Sequence, residues 1–263
     1  MKKLFPFYIG FILALIYVPI ILVIIYSFNE SRLSSVWGGF SLHWYRELFR
    51  DRSMFEALRN SLVLASLASL CSAIIGTLGA YGMVRRKGSK PGSMPAKVIE
   101  YFSILPIMTP EIILGIAFLA FFSFLAIPFG MTTLVIAHTA FCVPYVYLLV
   151  KARLAGLEKS FLEAAKIMGA TDMRAFYDIT FPLVLPAIIS GMLISFAMSF
   201  DDVIISVFTA GVHTNTLPMK IYSQIKIGVT PKTNAMCTLI FVFTVILCFA
   251  ATMLARKKEH KNL

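Results

Sequence analysis

Six apolar runs, near residues 5–28, 61–84, 99–126, 132–150, 184–208 and 235–255, leave this chain few ways to fold. Crossing a hydrocarbon core takes about 20 apolar residues in a helix. Only 14% of the 263 residues are charged and 59% are hydrophobic, against about a quarter charged in a soluble domain. No aqueous core could hide so much apolar surface, so the natural solvent is lipid. Lipid offers no partner to a free N–H or C=O, so the runs read as helices. The expectation is an all-α integral membrane protein with six transmembrane helices, one transmembrane domain over residues 1–263. The third and fifth runs exceed one straight crossing and carry prolines (Pro106 and Pro110; Pro186), which predicts tilt or kinks. The first begins MKKLF, but its apolar stretch is too long for a signal h-region and no small-residue cleavage site follows. It reads as an uncleaved span.

The net charge of +11 does not point to nucleic acid, because the basic residues sort by side of the membrane. Most of the 24 lie at the N-terminus (Lys2, Lys3), in the second loop (Arg85 to Lys97), in the fourth loop (Lys151 to Arg174) and after the last run (Arg256 to Lys261). By the positive-inside rule both termini are cytoplasmic, which suits an even number of spans. The non-membrane pieces are short: residues 29–60 and 209–234 outside, and 151–183 inside.

The fifth run contains FAMSFDDVIISVF, with Asp201 and Asp202 adjacent at its centre. An ionised carboxylate at the middle of a span costs about 2.5–3.5 kcal/mol on insertion scales. Ser195, Ser199, Asp202, Ser206 and Thr209 recur at helical spacing and share one face. Asp201 points about 100° away, at the edge of that stripe. Serines and threonines can simply join helices, whereas embedded carboxylates line a cavity, a substrate path or an ion pair. No Lys or Arg lies deep in any run to pair with them, although a partner subunit could supply one. Glu111, after Thr109-Pro110 in the third run, is the remaining deep carboxylate, and a helical reading places it near mid-membrane. Three unpaired acids on a polar path suggest a transient cationic guest. His138 in the fourth run reads either as a proton relay or as an interhelical hydrogen-bonding group. Trp44, Tyr45 and Trp37 precede the second run. They read either as cation–π contacts at the outer mouth or as interfacial anchors.

The loop KARLAGLEKSFLEAAKIMGATDMRAFYDITFPLVLP places Leu154, Leu157, Phe161, Leu162, Ala165 and Met168 on one helical face. Gly169 interrupts it, and Thr171 or Asp172 can cap a second short helix that ends before Pro182. Such an element can lie on lipid or dock another protein. No G-x-x-x-x-G-K-[ST] occurs, so no ATPase activity is expected in this chain. No nucleophile–base pair or metal-ligand spacing is evident, and the four cysteines, all within the runs, read as packing residues.

Glu163-Ala164-Ala165, then Gly169, Ile179 and Pro182, resemble the E-A-A-x3-G-x9-I-x-L-P loop of bacterial ABC-importer permeases, with Phe181 in place of Leu. Over nearly the whole chain, PIILVIIYSFNESR, WYRELF, LPIMTPEIILGI, SFDDVIISVF and LPMKIYSQIKIGVTPKTNA are similar to the spermidine/putrescine (PotC-type) permeases. That resemblance implies a type I ABC-importer permease in the bacterial inner membrane, with residues 151–183 as the coupling loop. It implies a second permease subunit in a heterodimer, a cytoplasmic ATPase dimer using ATP and Mg, and an extracytoplasmic polyamine-binding protein. No cofactor is expected in this chain itself. The resemblance ties Trp44, Glu111, Glu163, Ser199, Asp201 and Asp202 to polyamine passage, Glu111 standing where Asp is usual. With Ser195, Ser206 and Tyr45 they form the expected substrate path, and the coupling residues are Glu163, Ala164, Ala165, Gly169, Ile179 and Pro182. The alternatives are a permease for another organic cation and a proton-coupled carrier. The second is disfavoured by six runs without an evident inverted repeat.

Overall fold

The computed structural model describes residues 4–32, 36–87, 94–156, 167–169, 171–212 and 214–259. In chain order its helices are α1 (Leu4–Tyr26), α2 (His43–Arg50), α3 (Arg52–Lys87), α4 (Met94–Met108), α5 (Glu111–Phe124) and α6 (Met131–Ala155). There follow α7 (Asp172–Ala175), a π turn (Phe176–Thr180), α8 (Phe181–Asp201), α9 (Ile204–Thr209), α10 (Leu217–Ile227) and α11 (Pro231–Glu259). Among the described residues the only β pairing is an isolated antiparallel bridge between Asn29 and Phe40. Among the described residues, four helical stretches are long and apolar enough to cross a membrane: Tyr8–Tyr26, Arg52–Val84, Met131–Ala155 and Met173–Asp201. The α4–α5 pair makes a fifth if it is one broken span, and the described apolar part of α11, Pro231–Ile246, is shorter.

The kink expected of the third span is a sharp break at Pro110, whereas the fifth span carries Pro186 inside α8. In the third, Glu100–Met108 and Glu111–Phe124 meet at 113°. Pro110 has no N–H to donate and crowds the residue before it out of the helical region. α4 therefore stops at Met108, Pro110 is extended (φ −55°, ψ 133°), and a new helix starts at Glu111.

The fifth span begins earlier than expected, because the short loop helix expected to end before Pro182 runs on into it. Thr171 opens α7, its hydroxyl accepting the Arg174 N–H at 3.4 Å, and the helix runs on through the π turn into α8. The Phe181 N–H bonds back to the Phe176 carbonyl, an i→i−5 bond. The ladder thus slips by one residue just where Pro182 has no donor, and the helix passes through its proline instead of ending there.

The chain forms two compact units. One holds Met1–Phe55 with Ile221–Leu263, where α11 packs on α1 and α2. None of the Tyr8–Tyr26 window is buried, a helix surface suited to lipid. Asn29, fully buried, organises the segment after α1. Its side chain accepts the Gly38 N–H at 2.8 Å and donates to the Val36 carbonyl at 2.8 Å.

The other unit, Glu56–Lys220, is built around α6, which packs on α8, α4 and α9. Glycines set how closely its helices approach. A Cβ on Gly76 of α3 would stand 2.8 Å from the Val146 Cβ, and one on Gly191 of α8 would stand 3.0 Å from the Val146 Cα. Helices in lipid gain little from the hydrophobic effect between them, so close backbone approach through small residues is a main source of their attraction. Val146, Tyr147 and Val150 of α6 then pack with Ala80, Met83 and Val184 into a buried cluster. A second cluster joins Phe122, Ala137, Phe141, Cys142 and Ile205 around the fifth-span break.

Candidate functional site

The polar stripe of the fifth span lies on one face as the spacing predicts, but on a helix in two pieces. α8 ends at Asp201, Asp202 is extended (φ −67°, ψ 131°), and α9 starts at Ile204. Ser195, Ser199, Asp202, Ser206 and Thr209 are all buried, the most exposed being Asp202 at 8%. They face α6. The Ser195 hydroxyl donates to the Cys142 carbonyl at 3.4 Å, and the Thr133 hydroxyl donates to the Thr209 carbonyl at 2.8 Å.

His138 of α6 sits at the break and is fully buried. Its Nδ1 lies 2.8 Å from the Ser199 Oγ, its Nε2 3.1 Å from the Ser206 Oγ and 3.4 Å from the Asp202 Oδ2. Asp202 accepts the Ile205 N–H at Oδ1 (3.2 Å) and both the Ser206 N–H (2.8 Å) and the Ser206 hydroxyl (2.9 Å) at Oδ2. One neutral tautomer satisfies this set. Ser206 spends its proton on Asp202 and accepts from Nε2–H, which leaves Nδ1 to accept from Ser199.

Asp202 is therefore not without an internal partner: His138 and the first N–H groups of α9 surround it. It performs the work of an N-cap, the position at which Asp is among the preferred residues. Sequence reasoning treated 184–208 as one span and missed the break. The signal was there, a strong capping residue followed by Val203, Ile204 and Ile205 in mid-run. His138 takes the interhelical hydrogen-bonding role of its two readings.

Asp201 differs from its neighbour. It is the last residue of α8 and is exposed. Glu111 is half-buried in the first turn of α5, an end where exposed N–H groups favour a carboxylate. The helices that begin at the two breaks pack on each other, Gly115 of α5 lying against the Phe208 ring of α9.

Trp44 and Tyr45 belong to the first unit, and their polar atoms are committed within it. Trp44 is 8% exposed and donates its indole N–H to the Asn29 carbonyl at 2.8 Å. The Tyr45 hydroxyl pairs with the Ser27 hydroxyl at 2.7 Å. Trp37, by contrast, is exposed and meets Tyr26 edge-on. In the same unit, just ahead of the last apolar run, Lys232 reaches Asp51 at 2.8 Å and Glu47 at 3.2 Å. Burial pushes the Lys232 ammonium pKa down, and these two partners outweigh it, so it lies above the ordinary lysine value. The stability from this cluster is fully present below the ordinary lysine pKa and is lost as pH rises through the raised one. Lys232→Met is expected to lower stability at neutral pH by about 1 kcal/mol. A thermal melt would show this as a drop of a few degrees that vanishes in strong alkali; a pH-independent drop would exclude the ion pairs as its cause.

Of the coupling-loop residues, Glu163, Ala164 and Ala165 lie outside the described residues, as do Leu157, Phe161 and Leu162. Gly169 has φ +82°, with nothing within 4 Å of where a Cβ would stand, so it provides the left-handed turn expected there. Ile167 and Met168 before it and Met173 after it are 88%, 83% and 68% exposed. Ile179 is half-buried and Pro182 exposed.

Residues 72–260 match the family described as the binding-protein-dependent transport system inner membrane component. The chain belongs to that family. It is thus an inner-membrane, multi-pass ABC-importer permease component. Among curated relatives, this permease is 39% identical over 254 residues to the putrescine transport system permease protein PotI of Escherichia coli (strain K12), covering 94% of this chain and 89% of the relative. It is 36% identical over 247 residues to the spermidine/putrescine transport system permease protein PotC of Haemophilus influenzae, covering 94% of each. Among solved structures, a bacterial ABC transporter involved in importing the acidic polysaccharide alginate superposes with a TM-score of 0.74 at 15% identity, over 96% of this chain and 95% of that one. A second, the MetNI methionine ABC transporter in an inward-facing form, gives 0.59 at 19% identity over 78% of this chain and 98% of that one. At such identities these structures speak for the fold alone.

Proposed function

We propose that this chain is one of two permease subunits of an ATP-driven importer that brings spermidine or putrescine into the cytoplasm. Exposed Asp201 at the broken end of α8 is the observation that carries the cationic cargo. A half-helix C-terminus and a free carboxylate together favour a cation, and transporters commonly bind ions at broken spans. The names of the full-length relatives support a polyamine as that cation. Glu111 at the second break supplies a separate carboxylate. A flexible polyammonium chain can exchange its hydration for such weak, spaced sites and still leave them. Trp44 and Tyr45 support the outer segment rather than contact the cargo.

α11 serves as the sixth span in this reading, both termini are cytoplasmic, and 1–263 acts as one permease domain. ATP and Mg belong to a separate ATPase dimer, and an extracytoplasmic binding protein delivers the polyamine. The loop around Gly169, with Ile167, Met168 and Met173 displayed, suits docking in an apolar cleft of that ATPase.

The test is reconstitution with the second permease, the ATPase and the binding protein, followed by labelled spermidine and putrescine uptake. ATP-dependent uptake supports the proposal. ATPase activity stimulated by another cation alone would replace the cargo, and uptake that ignores ATP and follows a proton gradient would favour a carrier. In the same system Glu163→Ala and Gly169→Val, the latter strained by about 1–2 kcal/mol at positive φ, are expected to separate ATP hydrolysis from uptake. Substrate binding should be unchanged. Normal coupling in both variants would remove the docking role.

A further inference from the structure

We infer that His138 and Asp202 form a staple that holds the fifth span broken, so that Asp201 alone of the adjacent pair is presented to the cargo; this rests on the cation-path reading above. His138 bonds Ser199 on one side of the break and Ser206 on the other. The ring thus joins the last turn of α8 to the first turn of α9 across the break, and each contact stabilises the broken form in which it is made.

Asp202 completes the staple from within. A carboxylate has about four acceptor sites. Three are taken by the Ile205 N–H, the Ser206 N–H and the Ser206 hydroxyl, and the His138 ring lies beside the same oxygen as the last two. Almost nothing remains for an ammonium group, and 8% exposure leaves it little room to approach. Asp201, one residue earlier, projects outward from the end of α8. The last four carbonyls of a helix have no partner in its own ladder, so that end adds partial negative charge to the exposed carboxylate. His138 and Asp202 are positioning residues and Asp201 is the contact residue.

Initial uptake rates against polyamine concentration, in the reconstituted four-component importer, separate these roles. Asp202→Asn keeps one acceptor oxygen, and with it either the Ser206 bonds or the Ile205 bond, where alanine keeps neither. It is expected to leave the apparent KM unchanged and to keep more of the maximal rate than Asp202→Ala, which loses roughly fivefold or more with its cap bonds. His138→Ala should likewise lower the maximal rate at unchanged KM. Asp201→Asn should raise KM. An Asp202→Asn variant whose KM rises as in Asp201→Asn, or which is no better than Asp202→Ala, overturns the assignment. The second readout needs no cargo: the melting temperature of the purified complex for His138→Ala, Asp202→Ala and the double variant. A staple predicts that the double variant melts no lower than the worse single, with Asp201→Asn melting as wild type. Additive drops would refute it. Should wild type import no polyamine, the cargo reading fails, while the melting cycle still decides the staple. If Asp202→Ala does not accumulate, Asp202→Asn carries both measurements.

Discussion

Asp201→Asn is expected to cut uptake at low polyamine concentration by about tenfold to a hundredfold. That corresponds to about 1.5–3 kcal/mol for a hydrogen bond with a charged partner. The amount of assembled importer should not change, because Asp201 is exposed at the end of α8, and removing an embedded charge lightens insertion. The measurement is initial uptake divided by permease quantified in the membrane, at concentrations well below and well above half-saturation. The deficit should shrink at high concentration, since the loss is one of affinity. Uptake equal to wild type at low concentration would remove Asp201 from the cargo's route. A deficit that persists unchanged at saturation would instead place it in the conformational cycle. The same substitution one residue later is a different experiment, because Asp202 is buried and accepts the first N–H groups of α9.

Gly76→Leu is expected to destroy the packing of the α6 unit. Even a Cβ there would stand 2.8 Å from the Val146 Cβ and 3.0 Å from the Tyr147 backbone nitrogen, and neither neighbour can retreat, because Gly191 closes on the Val146 Cα from α8. Overpacking a dense interior typically costs about 1–3 kcal/mol, and here the added atoms press on backbone. The expected result is a large loss of monodisperse protein after detergent extraction, with the surviving fraction melting well below wild type. Gly82→Ala on the same helix is the control. Nothing lies within 4 Å of its Cβ position, and alanine gains about 0.5–1 kcal/mol over glycine in a helix interior. Equal recovery of Gly76→Leu and Gly82→Ala would mean that α3 and α6 do not approach closely at this crossing.

The apolar runs were enough to call for lipid and for helices, since the demand that every backbone group be satisfied in hydrocarbon acts locally on each run. The polar stripe from Ser195 to Thr209 was equally legible, because side-chain direction along a helix follows residue spacing. Gly169 could be read as a turn for the same local reason, and its φ of +82° agrees. The prolines announced irregular backbone in the third span but misled at Pro182. Pro110 broke its span through 113°, whereas Pro182 was absorbed by a π turn.

Tertiary structure alone separated the surroundings of the two aspartates. Two adjacent aspartates look equivalent in the sequence, and their insertion costs are the same. They become different when His138, far earlier in the chain, comes within 3.4 Å of Asp202 and leaves Asp201 outside. Trp44 offered two readings in the sequence, a cation–π contact or an interfacial anchor, and only the fold shows that the Asn29 carbonyl holds its indole N–H. What a residue is can be read from the chain, and so can the face of its helix. Whether its polar atoms are free to bind anything depends on long-range partners, and those form only when the helices pack.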